Sequence, residues 1–276
     1  MMFSSKNMSY IYYHEYFKGL KEQKGVSGLV YELGGPKSSE EQFRERNMAL
    51  QDFEFDLSLS PLEHLKNASK GVVSVQTFSL QTLYPGLMIG TGNPHDLKSK
   101  GSIYSGFSFD YVTGLPYIPG SSVKGVLRSV FPTKEDTKDD INQQKMEYIK
   151  SLLKPVLSDE EVYGLKNDIF EDNDVFLDAY PCLTSKNKTK KTNETKQQCL
   201  ALEFITPHSD IIKNPIPINC LKVKPGVSFE FGFYLKECQL SDKVQITVKQ
   251  KIELFKTILT DVGIGAKTNV GFGQLE

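Results

Sequence analysis

The segment with the clearest chemical potential lies close to the C-terminus. It contains four glycines around a polar triplet, namely Gly263, Gly265, Gly271 and Gly273 around Lys267-Thr268-Asn269. Glycine adopts positive φ without steric cost and allows another backbone to approach closely. Backbone N–H groups that such a loop leaves free attract anions, and Lys267 adds a positive charge. The segment therefore predicts an anion-binding loop.

Two common phosphate-binding motifs do not fit this segment. A nucleotide-binding P-loop has a glycine immediately before its lysine, but Ala266 occupies that position. The dinucleotide pattern G-x-G-x-x-G fails as well, because Thr268 stands where the third glycine is needed. We therefore predict no nucleotide cofactor.

A second segment, residues 114–128, predicts a strand that runs through a Pro-Gly turn into a helix. Ser121 or Ser122 is expected to cap this helix, whose free N–H groups and serine hydroxyl suit a phosphate oxygen. Lys124 and Arg128 are four residues apart and share one helical face, which is unfavourable unless an anion neutralises them. The alternative is a capped core helix with two solvated cations, and the residues alone leave both interpretations open.

Other polar residues have weaker patterns. His95 and Asp96 follow Gly92 in a loop and would suit proton transfer, although Asn-Pro and His-Asp are also common turn formers. His208 follows a Thr-Pro turn and has no partner that the sequence reveals. Asp178 lies in an apolar strand, where a carboxylate needs hydrogen-bond partners. The four cysteines, Cys182, Cys199, Cys220 and Cys238, lack metal-ligand spacing, so we predict buried free thiols and no metal site.

Composition limits the classes of protein to consider. The chain has 276 residues, of which 39% are hydrophobic and 24% charged, as in ordinary globular proteins. The net charge of −1 argues against a protein that coats nucleic acid over its whole surface. Residues 133–178 hold 13 acidic side chains and 6 lysines, a net charge of −7, so the remainder carries +6. We found neither a stretch that could span a bilayer nor a signal peptide, and expect a cytoplasmic protein without membrane contact.

The order of predicted elements indicates an α+β fold. Residues 1–70 predict a helical N-terminal extension, in which Ser38 caps a helix. Residues 71–276 predict a domain in the order strand, helix, two strands, helix and a glycine-rich C-terminal strand, which is the split βαβ pattern of ferredoxin-like domains. Within it, residues 133–172 predict a helical insertion, 184–198 a flexible lysine-rich loop, and 241–260 a helix, although residues 244–248 also fit a strand.

At this point the sequence resembles a known family. The pair Gly263-x-Gly265 and Gly271-x-Gly273, with five residues between them, is similar to the C-terminal glycine-rich loop of the RAMP superfamily of CRISPR-associated proteins. Residues 117–125 resemble the strand-to-helix signature of that superfamily. Three further segments, 85–92, 176–181 and 205–208, look like the branch formed by the sixth subunits of type III-B Cmr effector complexes. The resemblance covers roughly residues 72–276.

The resemblance implies a ferredoxin-like (RRM-like) RAMP fold and a non-catalytic, RNA-binding subunit in antiviral defence. Such a subunit holds the 3′ part of the duplex of CRISPR RNA and target RNA at the end of the backbone of the complex. Its implied neighbours are the backbone slicing subunit, the small helical subunit and the other terminal RAMP subunit. The implied RNA-binding residues are Ser121, Ser122, Lys124, Arg128, Gly263, Gly265, Lys267, Thr268, Asn269, Gly271 and Gly273.

Two alternatives stay open on the sequence. Related backbone subunits cut target RNA with an aspartate in the loop after the first strand, so Asp96 and His95 allow a metal-independent endoribonuclease that acts on CRISPR repeat or target RNA. A protein scaffold without RNA contact is the third class.

Overall fold

The computed structural model describes residues 3–22, 31–68, 74–92, 94, 95, 97, 99–134, 140–183, 195–206 and 217–276. Helices and strands are interspersed throughout these residues, and the fold is α+β as the sequence predicts. None of the described helices combines the length and apolarity that crossing a bilayer requires.

The N-terminal residues form helices and short strands. Their bounds are α1 (Met8–Tyr13), β1 (Leu20–Glu22), β2 (Tyr31–Leu33), α2 (Ser39–Gln51), β3 (Glu54–Asp56) and α3 (Pro61–Ala68). As predicted, Ser38 caps α2, and it does so in a capping box with Glu41. Tyr12, Tyr16 and Phe43 are fully buried in the same hydrophobic core as residues from the rest of the chain. These elements therefore share a core with the remainder, while a domain boundary at residue 70 stays a prediction.

A four-stranded sheet organises the remainder. Its strands are β4 (Gln76–Gln81), β5 (Val175–Phe176), β6 (Tyr180–Pro181) and β10 (Ser228–Tyr234). The central strand β10 runs antiparallel to β4 on one side and to β5 and β6 on the other. Alternation along β10 buries Phe229, Phe231 and Phe233, because side chains on one face of a strand recur every second residue.

Two helices are packed on the sheet. α4 (Gly120–Ser129) and α7 (Val248–Val262) contact one another, and Phe255 of α7 packs against Phe176 and Phe233 of the sheet. The predicted helical insertion contains α5 (Asp140–Leu152), α6 (Asp159–Asn167) and a π-helical turn at Asp168–Asp172.

A buried ion triad ties the end of this insertion to α7. The Nζ of Lys251 lies 2.6 Å from Oδ2 of Asp168 and 2.7 Å from Oδ2 of Asp174. The side chains of Lys251 and Asp174 have no exposed surface. Burial raises the pKa of the Asp174 carboxyl above its usual value, although its hydrogen bonds to Lys251 and to the backbone N–H of Lys236 act in the opposite direction.

Short two-stranded ribbons complete the described chain. They pair β1 with β2, β3 with β7 (Lys196–Gln198), β8 (Leu200–Ile205) with β9 (Ile218–Val223), and β11 (Cys238–Ser241) with β12 (Val244–Ile246). Most of the predicted lysine-rich loop, residues 184–194, lies outside the described residues. Its end was predicted wrongly, because Lys196–Gln198 form a strand against β3 rather than a loop. Pairing with a distant strand overrides the low β-propensity of these polar residues.

Two predictions near the C-terminus need correction. The helix predicted for 241–260 begins only at Val248, where Thr247 and Gln250 form a capping box, and the strand alternative is right for Val244–Ile246. The glycine-rich segment is not a strand. Only its end pairs with the sheet, through hydrogen bonds between the backbones of Gln81 and Glu276 at 2.8 and 3.0 Å. The glycines instead form a compact loop, described below.

Candidate functional site

The helix α4 begins as the sequence predicts, but a different residue caps it. Pro119 is the N-cap residue, and Ser121 and Ser122 lie in the first turn without a capping hydrogen bond, so the predicted serine cap is wrong. The Oδ1 atom of Asp178 instead accepts a 2.7 Å hydrogen bond from the backbone N–H of Gly120. This contact gives Asp178 the partner that a carboxylate in an apolar strand needs.

Lys124 and Arg128 lie on one side of α4, and Ser122 lies on the other. Residues two positions apart project to nearly opposite sides of a helix, whereas residues four apart share a face. The Nζ atom of Lys124 lies 5.9 Å from the centre of the Phe176 ring. Arg128 forms a 2.8 Å ion pair with Glu171, and both side chains are about half exposed. The anion beside Arg128 is therefore a carboxylate of the acidic segment, residues 133–178.

The glycine-rich loop is held in place by its own backbone. Gly263 ends α7, and Gly265, Gly271 and Gly273 also have positive φ. A Cβ on Gly273 would lie 1.8 Å from the carbonyl oxygen of Ile264, so only glycine fits there. The backbone N–H of Gly273 donates to the carbonyl of Gly86, and that of Ala266 to Met88, at 2.8 and 2.9 Å. The loop is thus joined to residues 86–88, which follow the first strand of the sheet.

The polar triplet forms the outer end of this loop. Lys267 has a φ of 61°, a left-handed conformation, and Thr268–Val270 form a short 3-10 turn after it. Among the described residues, the backbone N–H groups of Lys267, Thr268 and Asn269 donate to no protein acceptor. Lys267 and Asn269 are exposed and Thr268 is half-buried. Three unpaired backbone N–H donors beside the ammonium group of Lys267 suit the oxygen atoms of one phosphate group.

A small apolar cluster supports the loop from below. Met88, Cys220 and Phe272 are buried together, apart from the main core. The Nζ atom of Lys222 lies 5.7 Å from the centre of the Phe272 ring and 2.7 Å from Oε2 of Glu203. Burial raises the pKa of the Cys220 thiol, so this group stays protonated at neutral pH. The predicted free thiols are found, with Cys199, Cys220 and Cys238 buried and Cys182 partly buried.

A groove lies between the two predicted segments. It has a volume of about 430 Å³, and one wall is formed by residues 264–266 of the glycine-rich loop. The opposite wall includes Pro119, Ser122 and Val126 at the start of α4, while residues 88–92 and Ser108 complete it. Segments about 140 residues apart in sequence therefore meet at one place.

The sequence did not identify residues 88–92 and Ser108 as part of a site. Residues 85–92 carry part of the family resemblance, but their pattern singled out no binding residue. Gly90 has positive φ, and a Cβ there would lie 2.4 Å from the backbone nitrogen of Ser108. This close approach of two backbones is a tertiary contact that the sequence pattern does not show.

The structure places His95 in an aromatic environment. The ring of His95 packs against Tyr12, Tyr13 and Phe17, with ring centres 4.6, 5.3 and 4.6 Å away. Asp96 and His208 lie outside the described residues. His95 thus belongs to an aromatic cluster that joins α1 to the loop after the first strand of the sheet.

Comparisons with known proteins agree with the motifs. The sequence model of the RAMP superfamily matches residues 79–276. The CRISPR system Cmr subunit Cmr6 of Saccharolobus solfataricus is 29% identical over 177 residues, which are 62% of this chain and 48% of that protein. The chain therefore spans about half the length of this curated relative.

Solved structures are similar as well. A chain of the type III-B Cmr-beta complex bound to cognate target RNA superposes with a TM-score of 0.56 at 24% identity, covering 88% of this chain and 75% of that one. Cmr6 from Pyrococcus furiosus gives a TM-score of 0.44 at 22% identity, covering 75% and 98%. The first of these shows a shared fold. Because the family match spans residues 79–276, well over half of the sequence and including both predicted segments, this chain belongs to the RAMP superfamily.

Proposed function

We propose that this chain is a non-catalytic, RNA-binding subunit of a type III-B CRISPR effector complex in the cytoplasm. In this role it holds the 3′ part of the duplex of CRISPR RNA and target RNA at the end of the backbone. Its proposed neighbours are the backbone slicing subunit, the small helical subunit and the other terminal RAMP subunit. The similarity to Cmr6 supports this assignment.

One observation carries the RNA-binding part of the proposal. The glycine-rich loop and the start of α4 border the same groove, and Lys267 at its edge is followed by unpaired backbone donors. Contacts from N–H groups and a lysine to phosphate position RNA without reading its bases. Such contacts suit a protein that must hold many different guide sequences.

The strand arrangement supports a ferredoxin-like core. In that fold the first strand lies between the third and the fourth, and the two helices cover one face. Here β4 lies between β10 and the C-terminal residues that pair with Gln81, while β5 and β6 flank β10 on its other side. The helices α4 and α7 pack together on this sheet.

Lys124 and Arg128 remain candidates for a second phosphate contact, on the side of α4 away from the groove. Glu171 competes for Arg128 there. A surface ion pair between half-exposed groups is weak, so an RNA phosphate, which carries the same single charge as the carboxylate, competes with Glu171 for Arg128 at little cost.

The packing of His95 supports a non-catalytic role. A general base must come within about 3 Å of the hydroxyl proton that it removes. Contacts with three aromatic rings restrict the approach of a ribose to this side chain. We expect His95→Ala and Asp96→Ala, each in an otherwise intact complex, to leave every target-cleavage product unchanged.

The test combines RNA binding with a cleavage assay. Binding of a fluorescent CRISPR RNA by the full chain should weaken with salt, and Lys267→Ala should lower the slope of log K against log salt by about 1, because one phosphate contact is lost. The exposed Lys243 in the β11–β12 turn gives a matched control, Lys243→Ala, that should leave the slope unchanged.

Three outcomes separate the function classes. Binding without cutting in EDTA agrees with the proposal, whereas cutting in EDTA identifies a metal-independent ribonuclease. A chain that neither binds nor cuts RNA is a protein scaffold.

A further inference from the structure

The groove between the glycine-rich loop and α4 has an unusual lining for a site beside a phosphate-binding loop. Its described lining residues include no lysine, arginine, aspartate or glutamate. Most of the wall is apolar and comes from Met88, Ile118, Val126 and Ile264, together with backbone of the glycine-rich loop. A phosphate would lose its hydration in this groove without gaining a charged partner, so the groove itself suits a neutral group.

The polar atoms in the groove are free to bind that group. Three hydroxyls line it, from Thr91, Ser108 and Ser122, and none of the three has a hydrogen-bond partner among the described residues. A hydroxyl both donates and accepts, so it can pair with either kind of atom on a ligand. An apolar wall with a few convergent polar groups, in a volume of about 430 Å³, is the usual composition of a pocket for a planar organic ligand.

The position of the groove limits what this ligand is. Ala266 lines the groove, and the backbone N–H groups of the next three residues, Lys267, Thr268 and Asn269, have no acceptor among the described residues. A polymeric ligand in which anionic groups alternate with flat, neutral groups therefore matches this surface. One phosphate would lie at residues 267–269, and the adjoining neutral group would lie in the groove. RNA has this alternation, and single-stranded RNA can turn a base out of its stack.

We propose that the groove holds one unpaired nucleobase of the bound RNA, inserted between the start of α4 and residues 264–266. This inference rests on the proposed RNA-binding function and adds a base-binding subsite to it. Because the three hydroxyls accept or donate according to their rotation, the subsite takes any of the four bases. The base contributes affinity by burial of its faces, and its identity is not read.

Filling the groove tests the proposal. Val126→Phe places a ring in the groove from α4, and Ala266→Leu narrows the groove from the side of the glycine-rich loop. Two independent variants are used because a folding defect in one of them would otherwise decide the result. A matched control is Gly125→Leu, because a side chain added at Gly125 meets no atom within 4 Å and lies outside the groove lining. Circular dichroism of each variant checks that the chain is folded.

The probes are a fluorescent oligouridylate and an abasic ribose-phosphate oligomer of the same length, titrated against the full chain. Both have the same charge, so the difference in affinity between them reports the bases alone. The wild-type chain and Gly125→Leu should bind oligouridylate about 10-fold more tightly than the abasic oligomer, the factor expected if one base buries roughly 60 Å² of its surface at about 25 cal/mol per Å². Val126→Phe and Ala266→Leu should bind both probes with the lower affinity.

Each result decides a different point. A folded wild-type chain that binds neither probe refutes the proposed function and this inference together. A wild-type chain that binds both probes equally, or groove variants that retain the preference for oligouridylate, refutes the base subsite while the RNA-binding function stands. Groove variants with unchanged RNA affinities that no longer copurify with the other complex subunits would instead assign the groove to an apolar side chain of a partner.

Discussion

Removal of the lysine from the buried triad should destabilise the protein strongly. Lys251→Met retains most of the volume of the side chain but leaves the carboxylates of Asp168 and Asp174 without their cation. The Asp174 side chain is fully buried and that of Asp168 is 15% exposed, so water cannot replace the lost partner. Breaking a buried ion pair by deletion of one member typically costs about 3–5 kcal/mol. We expect a loss in this range at neutral pH.

The loss should depend on pH in a defined direction. Burial already raises the pKa of Asp174, and the hydrogen bond and charge of Lys251 are among the effects that lower it. Without Lys251 this pKa rises further above the value of about 3.9 in the unfolded chain. The folded variant then binds protons more tightly than the unfolded one, so its stability is gained as pH falls through the raised pKa and is lost as pH rises. The difference from the wild type should be smaller at about pH 5 than at about pH 7.5.

Urea denaturation followed by circular dichroism at both pH values measures the effect. A loss of about 3–5 kcal/mol lowers the urea midpoint by more than about 1 M. The matched control is Lys256→Met on the exposed side of the same helix, which should change stability by less than about 0.5 kcal/mol. A Lys251→Met variant within 1 kcal/mol of the wild type, or one whose deficit does not change with pH, would refute the triad as a buried link between the insertion and α7.

Three further changes have expected outcomes. Gly273→Ala should abolish the loop geometry and RNA retention, because its Cβ would lie 1.8 Å from a carbonyl oxygen. Gly271→Ala should cost only roughly 1 kcal/mol for a left-handed alanine, because its nearest contact would be 3.7 Å away. Equal RNA binding by the two variants would contradict this prediction. Asp178→Ala should lower the free energy of unfolding by about 1 kcal/mol, since it removes the acceptor at the start of α4, and thermal denaturation would detect it. If Lys124 and Arg128 each contact one phosphate, the double variant Lys124→Ala and Arg128→Ala should lower the slope of log K against log salt for RNA binding by about 2. An unchanged slope would show that Arg128 is a structural partner of the insertion instead.

Local features of the fold were predictable because they depend on a few neighbouring residues. Ser38, which precedes acidic first-turn residues, predicted the N-cap of α2. The glycine spacing near the C-terminus predicted a loop with positive φ. In contrast, Lys196–Gln198 were predicted as loop, because their strand exists only through pairing with β3, about 140 residues earlier in the chain.

The sequence by itself determined the RAMP motifs, the positions of the glycines near the C-terminus and the presence of cations near the start of α4. These properties are set by side-chain type and spacing within roughly fifteen residues. Only the tertiary structure decided that Arg128 pairs with Glu171, that Asp178 caps α4 and that a neutral groove separates α4 from residues 264–266. The physical reason is that such contacts depend on how the sheet and both helices pack together, and packing is a property of the whole chain rather than of any local pattern.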